Sequence, residues 1–203
     1  MGPVTKQILE HTLADDVSSL LKMRAFDMTS NPQARLYFDG KFDFPKPPPT
    51  AADQKFGPTR KLAGEDNRVY SIGKEVYLRD AHCATCHQAN GQGLPNIYPT
   101  LAKSEWLGES ERLIKIALKG LWGPIDVAGA HYDPTKGVPP MMGFGGLLND
   151  IELAAVLTYV RQSFGNDLDP ISAEEVRRVR ETVKDRTNFF MVEEILKEHP
   201  FQK

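Results

Sequence analysis

The chain has 203 residues, 40% of them apolar and 26% charged, with a formal net charge of −2. That length exceeds one average domain and is short for two large ones, so it suits one compact core with terminal extensions. The near-neutral balance supplies no basic stripe for nucleic acid, and no window approaches the roughly 18 consecutive apolar residues of a membrane span.

Residues 4–26 carry a loose apolar stripe at helical spacing, with Ile8, Leu9, Leu13, Val17, Leu20 and Leu21, and predict a helix. The opening "MGPVTKQILEHTLADD" lacks the basic, apolar and small-residue regions of a signal peptide. Between Asn31 and Gly64 the periodicity is lost. "FPKPPP", with Pro45, Pro47, Pro48 and Pro49, reads as a stiff, extended polyproline spacer. Phe38, Phe42, Phe44 and Phe56 around it suggest a strap lying on a surface.

Order returns at "EDNRVYSIGKEVYLRDAH", where Asp66 or Asn67 can cap a helix and Val69, Ile72, Val76 and Tyr77 share a face. This helix is expected to run straight into "CATCH". The Gly/Pro/Asn-rich "QANGQGLPNIYPTLAKS" is a long loop. "ESERLIKIALKGL" is amphipathic, with Leu113, Ile116 and Ala117 on one face and Gly120 as its stop. A second irregular stretch, "WGPIDVAGAHYDPTKGVPPMMGFGG", follows. "NDIELAAVLTYVRQSFGN" opens with a capping box, Asn149 and Glu152, and is the most apolar helix. Ser172 and Glu175 cap another helix to about Lys184, on which Glu174 and Arg178 form an i,i+4 pair. Asn188 can cap a last one through Leu196. No strand pattern and no internal repeat is visible, and the expected fold class is all-α. The expected organisation is an N-terminal extension (1–62), a core domain (63–168) and a helical C-terminal extension (169–203).

The chemistry lies in "AHCATCHQAN", which holds both cysteines of the chain, Cys83 and Cys86, followed directly by His87. Three readings compete. A redox Cys-x-x-Cys usually opens a helix in a βαβ context, whereas this pair is expected at a helix end with no strand nearby. A zinc site needs four ligands; there is no third cysteine, and His131 and His199 have no spacing partner. Cys-x-x-Cys-His is the attachment pattern of c-type haem: two thiols for the porphyrin vinyl groups and an adjacent imidazole for the iron. Cys83 and Cys86 are then the thioether residues and His87 the proximal ligand. A second axial ligand is expected far along the chain, Met or His. "VPPMMGFGGLLND" offers Met141 and Met142, of which only one can face the iron. Met28 and Met191 read as core packing.

With these motifs on the page, residues 65–167 resemble the class I cytochrome c family, through Gly73 and Tyr77, "CATCH", "GQGLPNIYPTLA", "MMGFGGLLND" and "IELAAVLTYVRQSFGN". The last stretch is similar to the C-terminal helix of bacterial cytochromes serving quinoprotein dehydrogenases. The family's Met ligand stands three residues before a Phe and nine before the Asp that opens the last helix; both counts give Met141. Met142 stands where the family often has Pro, and leaves itself and His131 as lesser alternatives. The family's proline twelve residues after the proximal His maps to Pro99, whose carbonyl would accept the imidazole Nδ1–H. Leu101 maps to a haem-packing residue, and Gly73 and Tyr159 to the crossing of the first and last helices. Trp106, Trp122 and Tyr98 are candidates for porphyrin packing or propionate bonding, with core packing as the plain alternative. His82 reads as a surface residue. The tail from Asp169 more loosely resembles those of large proteins in which a haem domain follows a β-propeller dehydrogenase.

The resemblance implies one covalent haem c and one-electron transfer without catalysis of the chain's own. The electrons would come from a periplasmic dehydrogenase and pass to an oxidase or another cytochrome of a respiratory chain. Because haem attachment to this motif occurs outside the cytoplasmic membrane, the expectation is an exported protein whose leader or upstream domain is missing from this chain. The alternative is a haem enzyme or ligand sensor with an open distal site, in which His131 acts as acid-base residue.

Overall fold

The computed structural model describes residues 57–79 and 82–201. The expected helix over 4–26, the polyproline strap and Met28 lie outside the described residues.

The core is organised by two crossing helices, α1 (Gly64–Tyr77) and α4 (Asp150–Arg161). Helix α4 starts with the expected capping box: Glu152 N–H donates to Asn149 Oδ1 and Asn149 N–H to the Glu152 carboxylate, which occupies two orphan donors of the first turn. From Leu153 to Arg161 every residue is buried, so this helix is core on all sides. Tyr159 gathers an aromatic cluster, its ring centroid 5.0 Å from Tyr70, 5.2 Å from Tyr77 and 5.6 Å from Phe164. Burial pushes the Tyr159 phenol up to about 12, so it stays neutral. Helix α1 begins earlier than the polar residues suggest. Its N-cap is Ala63, without a side-chain cap, and Asp66 falls inside its first turn, where a carboxylate favours the positive end of the helix dipole.

Helix α1 does not run into the cysteines. It stops at Tyr77, and Cys83–His87 form a short helix of their own, α2. After the loop comes a 3₁₀ turn at Glu105–Leu107 and helix α3 (Ser110–Lys119), whose first amides donate to the Glu109 carboxylate. As expected, α3 stops at Gly120. Helices α5 (Ala173–Thr182) and α6 (Val192–Glu198) follow α4. Ser172 and Glu175 form the predicted capping box of α5, and Val176 and Val179 are fully buried on its side toward the core. Met191, not Asn188, is the N-cap of α6, its amide donating to Glu194. The expected Glu174–Arg178 pair is not formed: Glu174 pairs with Arg177, and Arg178 reaches Glu111 at 3.7 Å. Met191 is exposed rather than packed in the core.

The fold is helical, but all-α is corrected in one respect. The irregular stretch and the tail contain short strands: β1 (Gly120–Trp122), β2 (Ile125–Val127), β3 (Ala130–Tyr132), β4 (Met141–Met142) and β5 (Phe190–Met191). β2 and β3 form an antiparallel hairpin. β1 is the middle of a three-stranded ribbon, antiparallel to β4 with Leu121 opposite Met141, and parallel to β5 with Leu121 opposite Phe190. Two- and three-residue strands carry no detectable alternation, and the partner of Leu121 lies far along the chain. Among the described residues no helix is long and apolar enough to cross a membrane.

Candidate haem-binding cleft

Helix α2 places the motif. Its N-cap, His82, is extended, so Cys83 opens the helix and His87 closes it. His82 is not a free surface residue; it is half-buried with its ring 5.6 Å from that of Phe144. The expectation that the cysteines sit at the end of a long helix is therefore wrong, and with it that ground for setting aside a redox pair. A better ground is present: burial pushes the Cys83 thiol up to about 11, away from the thiolate a redox nucleophile needs. Among the described residues no three His, Cys, Asp or Glu side chains are grouped to hold a bare metal ion.

His87 is buried, and its Nδ1–H donates to the Pro99 carbonyl at 2.9 Å. Burial pushes the imidazole pKa down, which keeps the ring neutral, as iron ligation requires. In that tautomer Nε2 is the unprotonated nitrogen of a side chain that lines the cleft.

The loop after His87 explains why Pro99 is there. Gly93 N–H donates to the His87 carbonyl, Leu94 N–H to Tyr98 and Leu101 N–H to Gly91, so the chain doubles back on itself. Gly93 has φ +65°, and a Cβ there would lie 2.2 Å from the Tyr98 oxygen and 2.5 Å from the Pro99 oxygen. The buried Tyr77 hydroxyl donates to the Gln88 carbonyl at 2.7 Å, fixing the start of the same loop against α1.

The Met141 loop is anchored on α3 and β1. Phe144 and Gly145 amides donate to the Ala117 and Leu118 carbonyls, using acceptors left open at the end of α3. Strand β4 sends its two side chains to opposite sides. Met141 is half-buried and lines the cleft, whereas Met142 is 59% exposed.

These pieces frame an apolar cleft that opens to the surface. Cys83, His87 and Leu101 line it, together with Met141 and Phe144. Leu113 and Ala117 of α3 and Leu153, Val156 and Val160 of α4 complete the apolar lining. The donor set and its surroundings fit an iron porphyrin: an apolar slot, a buried neutral imidazole with its Nδ1 tied off, a thioether sulfur, and the Cys83 thiol in the lining, with Cys86 three residues on.

Not every candidate is in the cleft. Trp106 donates its indole N–H to the Asp126 carbonyl at 2.7 Å and packs on Phe201, so it is a core residue of the tail side. Trp122 is half-buried on β1 beside Met191. Tyr98 is half-buried next to Cys86, which raises its phenol pKa. His131 projects from the β2–β3 hairpin, half-exposed, with Nδ1 2.7 Å from Asp126, and does not line the cleft. Phe144 and Leu107 were missed by sequence reasoning. Phe144 had been used only as a counting mark for Met141, although an aromatic between two glycines is itself a sign of a tight apolar loop.

The Cytochrome c family model matches residues 70–164. The chain is 40% identical to cytochrome c-552 of Thermus thermophilus over 118 residues, 53% of this chain and 83% of that protein. It is also similar, at 29% identity over 55% of its length, to the cytochrome c subunit of a quinone alcohol dehydrogenase of Gluconobacter oxydans (strain 621H). The cytochrome subunit of a fructose dehydrogenase of Gluconobacter japonicus matches at 31% identity over 51% of this chain. Of these two subunits the chain spans 22% and 21%.

Proposed function

Because the chain belongs to the cytochrome c family, as a class I electron carrier with covalent haem c, we propose that Cys83 and Cys86 would carry the two thioether bonds and that His87 and Met141 would ligate the iron. When bound, haem c supplies a one-electron couple between ferric and ferrous iron. Supporting the ligand set is one observation above the others: His87 of α2 and Met141 of β4 line the same apolar cleft.

The chain's own residues do the rest. Pro99 holds the imidazole plane and its basicity through the Nδ1–H bond. Leu101, Phe144 and the α3 and α4 side chains keep water from the cleft. Ligation by a thioether and a neutral imidazole in an apolar site would favour the reduced state, which would raise the potential. That suits an acceptor of electrons from a dehydrogenase, and cytochrome subunits of dehydrogenases are among the relatives. The proposed physiological role is therefore to take electrons from an exported dehydrogenase and pass them to a respiratory oxidase or another cytochrome, outside the cytoplasmic membrane where this haem is attached. In this reading residues 63–168 form the haem domain, with extensions at 1–62 and 169–203. His131, outside the cleft lining, gives the reading as a haem enzyme or sensor no support.

The test is spectroscopic. Expressed with haem-attachment machinery, the wild type is expected to show a haem c α-band when reduced and a Met–iron charge-transfer band when oxidised. Met141→Ala is expected to lose the second band and bind carbon monoxide; Met142→Ala and His131→Ala are expected to keep the band. Loss of the band in Met142→Ala with its retention in Met141→Ala would overturn the ligand assignment.

A further inference from the structure

Beyond the family match, which ends at residue 164, the tail reaches back to the loop that carries Met141. Arg180 of α5 is the contact. Its Nη1 donates to the Gly145 carbonyl at 2.5 Å, Nη2 to the Leu148 carbonyl at 2.9 Å, and Nε to Asp150 Oδ1 at 2.7 Å. One guanidinium thus spans the turn that leaves the Met141 loop and enters α4. The Arg180 and Asp150 side chains are 27% and 29% exposed, so the fork is largely shielded from water. Its planar, multi-donor geometry can hold three acceptors at fixed angles, which an ammonium cannot.

A second brace comes from the same tail. β5 extends the ribbon on the side of β1 away from β4, with Phe190 buried opposite Leu121 and Leu121 opposite Met141. Lys119, at the end of α3, donates to the Arg186 carbonyl at 2.7 Å, tying the tail to the helix whose last carbonyls receive Phe144 and Gly145. The loop is therefore fixed at both ends by residues of the tail or by elements the tail holds.

We infer that Arg180 is a positioning residue for the distal ligand: through Gly145, Leu148 and Asp150 it keeps the Met141 loop closed over the cleft, so the C-terminal tail governs how firmly the methionine sulfur is held. This rests on Met141 being the distal ligand. Truncating the fork removes charge-assisted bonds to two backbone carbonyls, enough to raise the open fraction of the loop about tenfold.

The test uses the 203-residue holoprotein with Arg180→Ala, Arg180→Lys, Met141→Ala and, as a control, Lys184→Ala, an exposed residue whose side chain pairs with Glu181. Three readouts are taken: the Met–iron charge-transfer band, the rate of carbon monoxide binding to the reduced protein, and hydrogen exchange of the Phe144 and Gly145 amides. Arg180→Ala is expected to weaken the band, speed carbon monoxide binding about tenfold and expose both amides. Arg180→Lys should fall between it and the wild type, and Lys184→Ala should match the wild type. If Arg180→Ala does not fold, Arg180→Lys decides. An Arg180 variant that lowers Tm but leaves all three readouts at wild-type values overturns the inference. Retention of the band in Met141→Ala would instead defeat the ligand assignment beneath it, whatever Arg180 does.

Discussion

Gly73 of α1 lies directly against the backbone of Ala155 in α4: a Cβ at position 73 would sit 2.0 Å from the Ala155 oxygen and 2.8 Å from Tyr159 Cβ. Both obstacles are backbone or the root of a side chain, so neither can swing aside. The helices cross at this point because one of them has no side chain there, and the crossing brings Tyr70 and Tyr77 of α1 against Tyr159 of α4. Gly73→Ala is expected to cost about 3 kcal/mol or more, read by denaturant unfolding of the holoprotein. A loss below about 0.5 kcal/mol, the range of ordinary surface changes, would show that the helices can separate freely.

Gly93 tests the proximal side in isolation. Its missing Cβ lets the Pro99 carbonyl reach His87 Nδ1 at 2.9 Å. Gly93→Ala has to push that carbonyl away, which weakens the bond that makes the imidazole electron-rich. The expected result is a reduction potential shifted upward by tens of millivolts, with the Met–iron band retained because the distal loop is untouched. Equilibrium redox titration measures it; an unchanged potential would mean that Pro99 does not tune the site.

These two glycines also show what was legible in the sequence. Cys83, Cys86 and His87 could be read from the spacing that haem attachment imposes, whereas Gly73, Pro99 and Met141 were reached only by counting against the resembled family. The four main helices followed from apolar periodicity and two capping boxes. Three things were not legible. The break between α1 and α2 depends on how the chain turns after Tyr77, where no Gly or Pro marks it. The ribbon of β4, β1 and β5 depends on pairing between residues as far apart as Leu121 and Phe190. The Arg180 fork joins an ordinary charged helix face to three acceptors, two of them main-chain carbonyls that every residue possesses.

The approach to the motif carries a pH-dependent strut. Arg79, just before α2, places Nη1 2.7 Å from Glu152 Oε1 at the start of α4. The Arg79 guanidinium, with the Asn149 amide, holds the Glu152 carboxyl below the usual carboxylate range. A carboxyl whose folded pKa is depressed stabilises the fold fully above its unfolded value, near 4.3, and loses that contribution as pH falls through the lower folded value. The pair is partly exposed, 37% and 24%, so its contribution is under about 1 kcal/mol. Glu152→Gln is expected to lower Tm at pH 7 and to converge with the wild type below about pH 4. Parallel Tm curves across that range would contradict the assignment.

The last prediction concerns a buried cation. Arg112 on α3 is only 1% exposed, yet no carboxylate pairs with its guanidinium at salt-bridge distance among the described residues. Its Nη1 donates to the His199 carbonyl at 2.8 Å and its Nη2 to the Glu105 carbonyl at 3.1 Å. Phe201 covers it, with the guanidinium carbon 4.7 Å from the ring centroid, and Trp106 meets Phe201 edge-on. Burial lowers the Arg112 pKa, but from a value so high that the charge is kept. At contact distance the charge is held by carbonyl dipoles and an aromatic face, with the Glu109 and Glu105 carboxylates acting on it from further away. Phe201→Ala is expected to cost about 1 kcal/mol, the scale of one cation–π contact. Arg112→Ala should cost about 3 kcal/mol or more, because it also strands the carbonyls that faced it. Arg112→Lys should rescue little, since an ammonium cannot reach both carbonyls from one plane. Urea unfolding with a double-mutant cycle on Arg112 and Phe201 measures the coupling; additive losses would mean that the ring only shields the site and does not hold the charge.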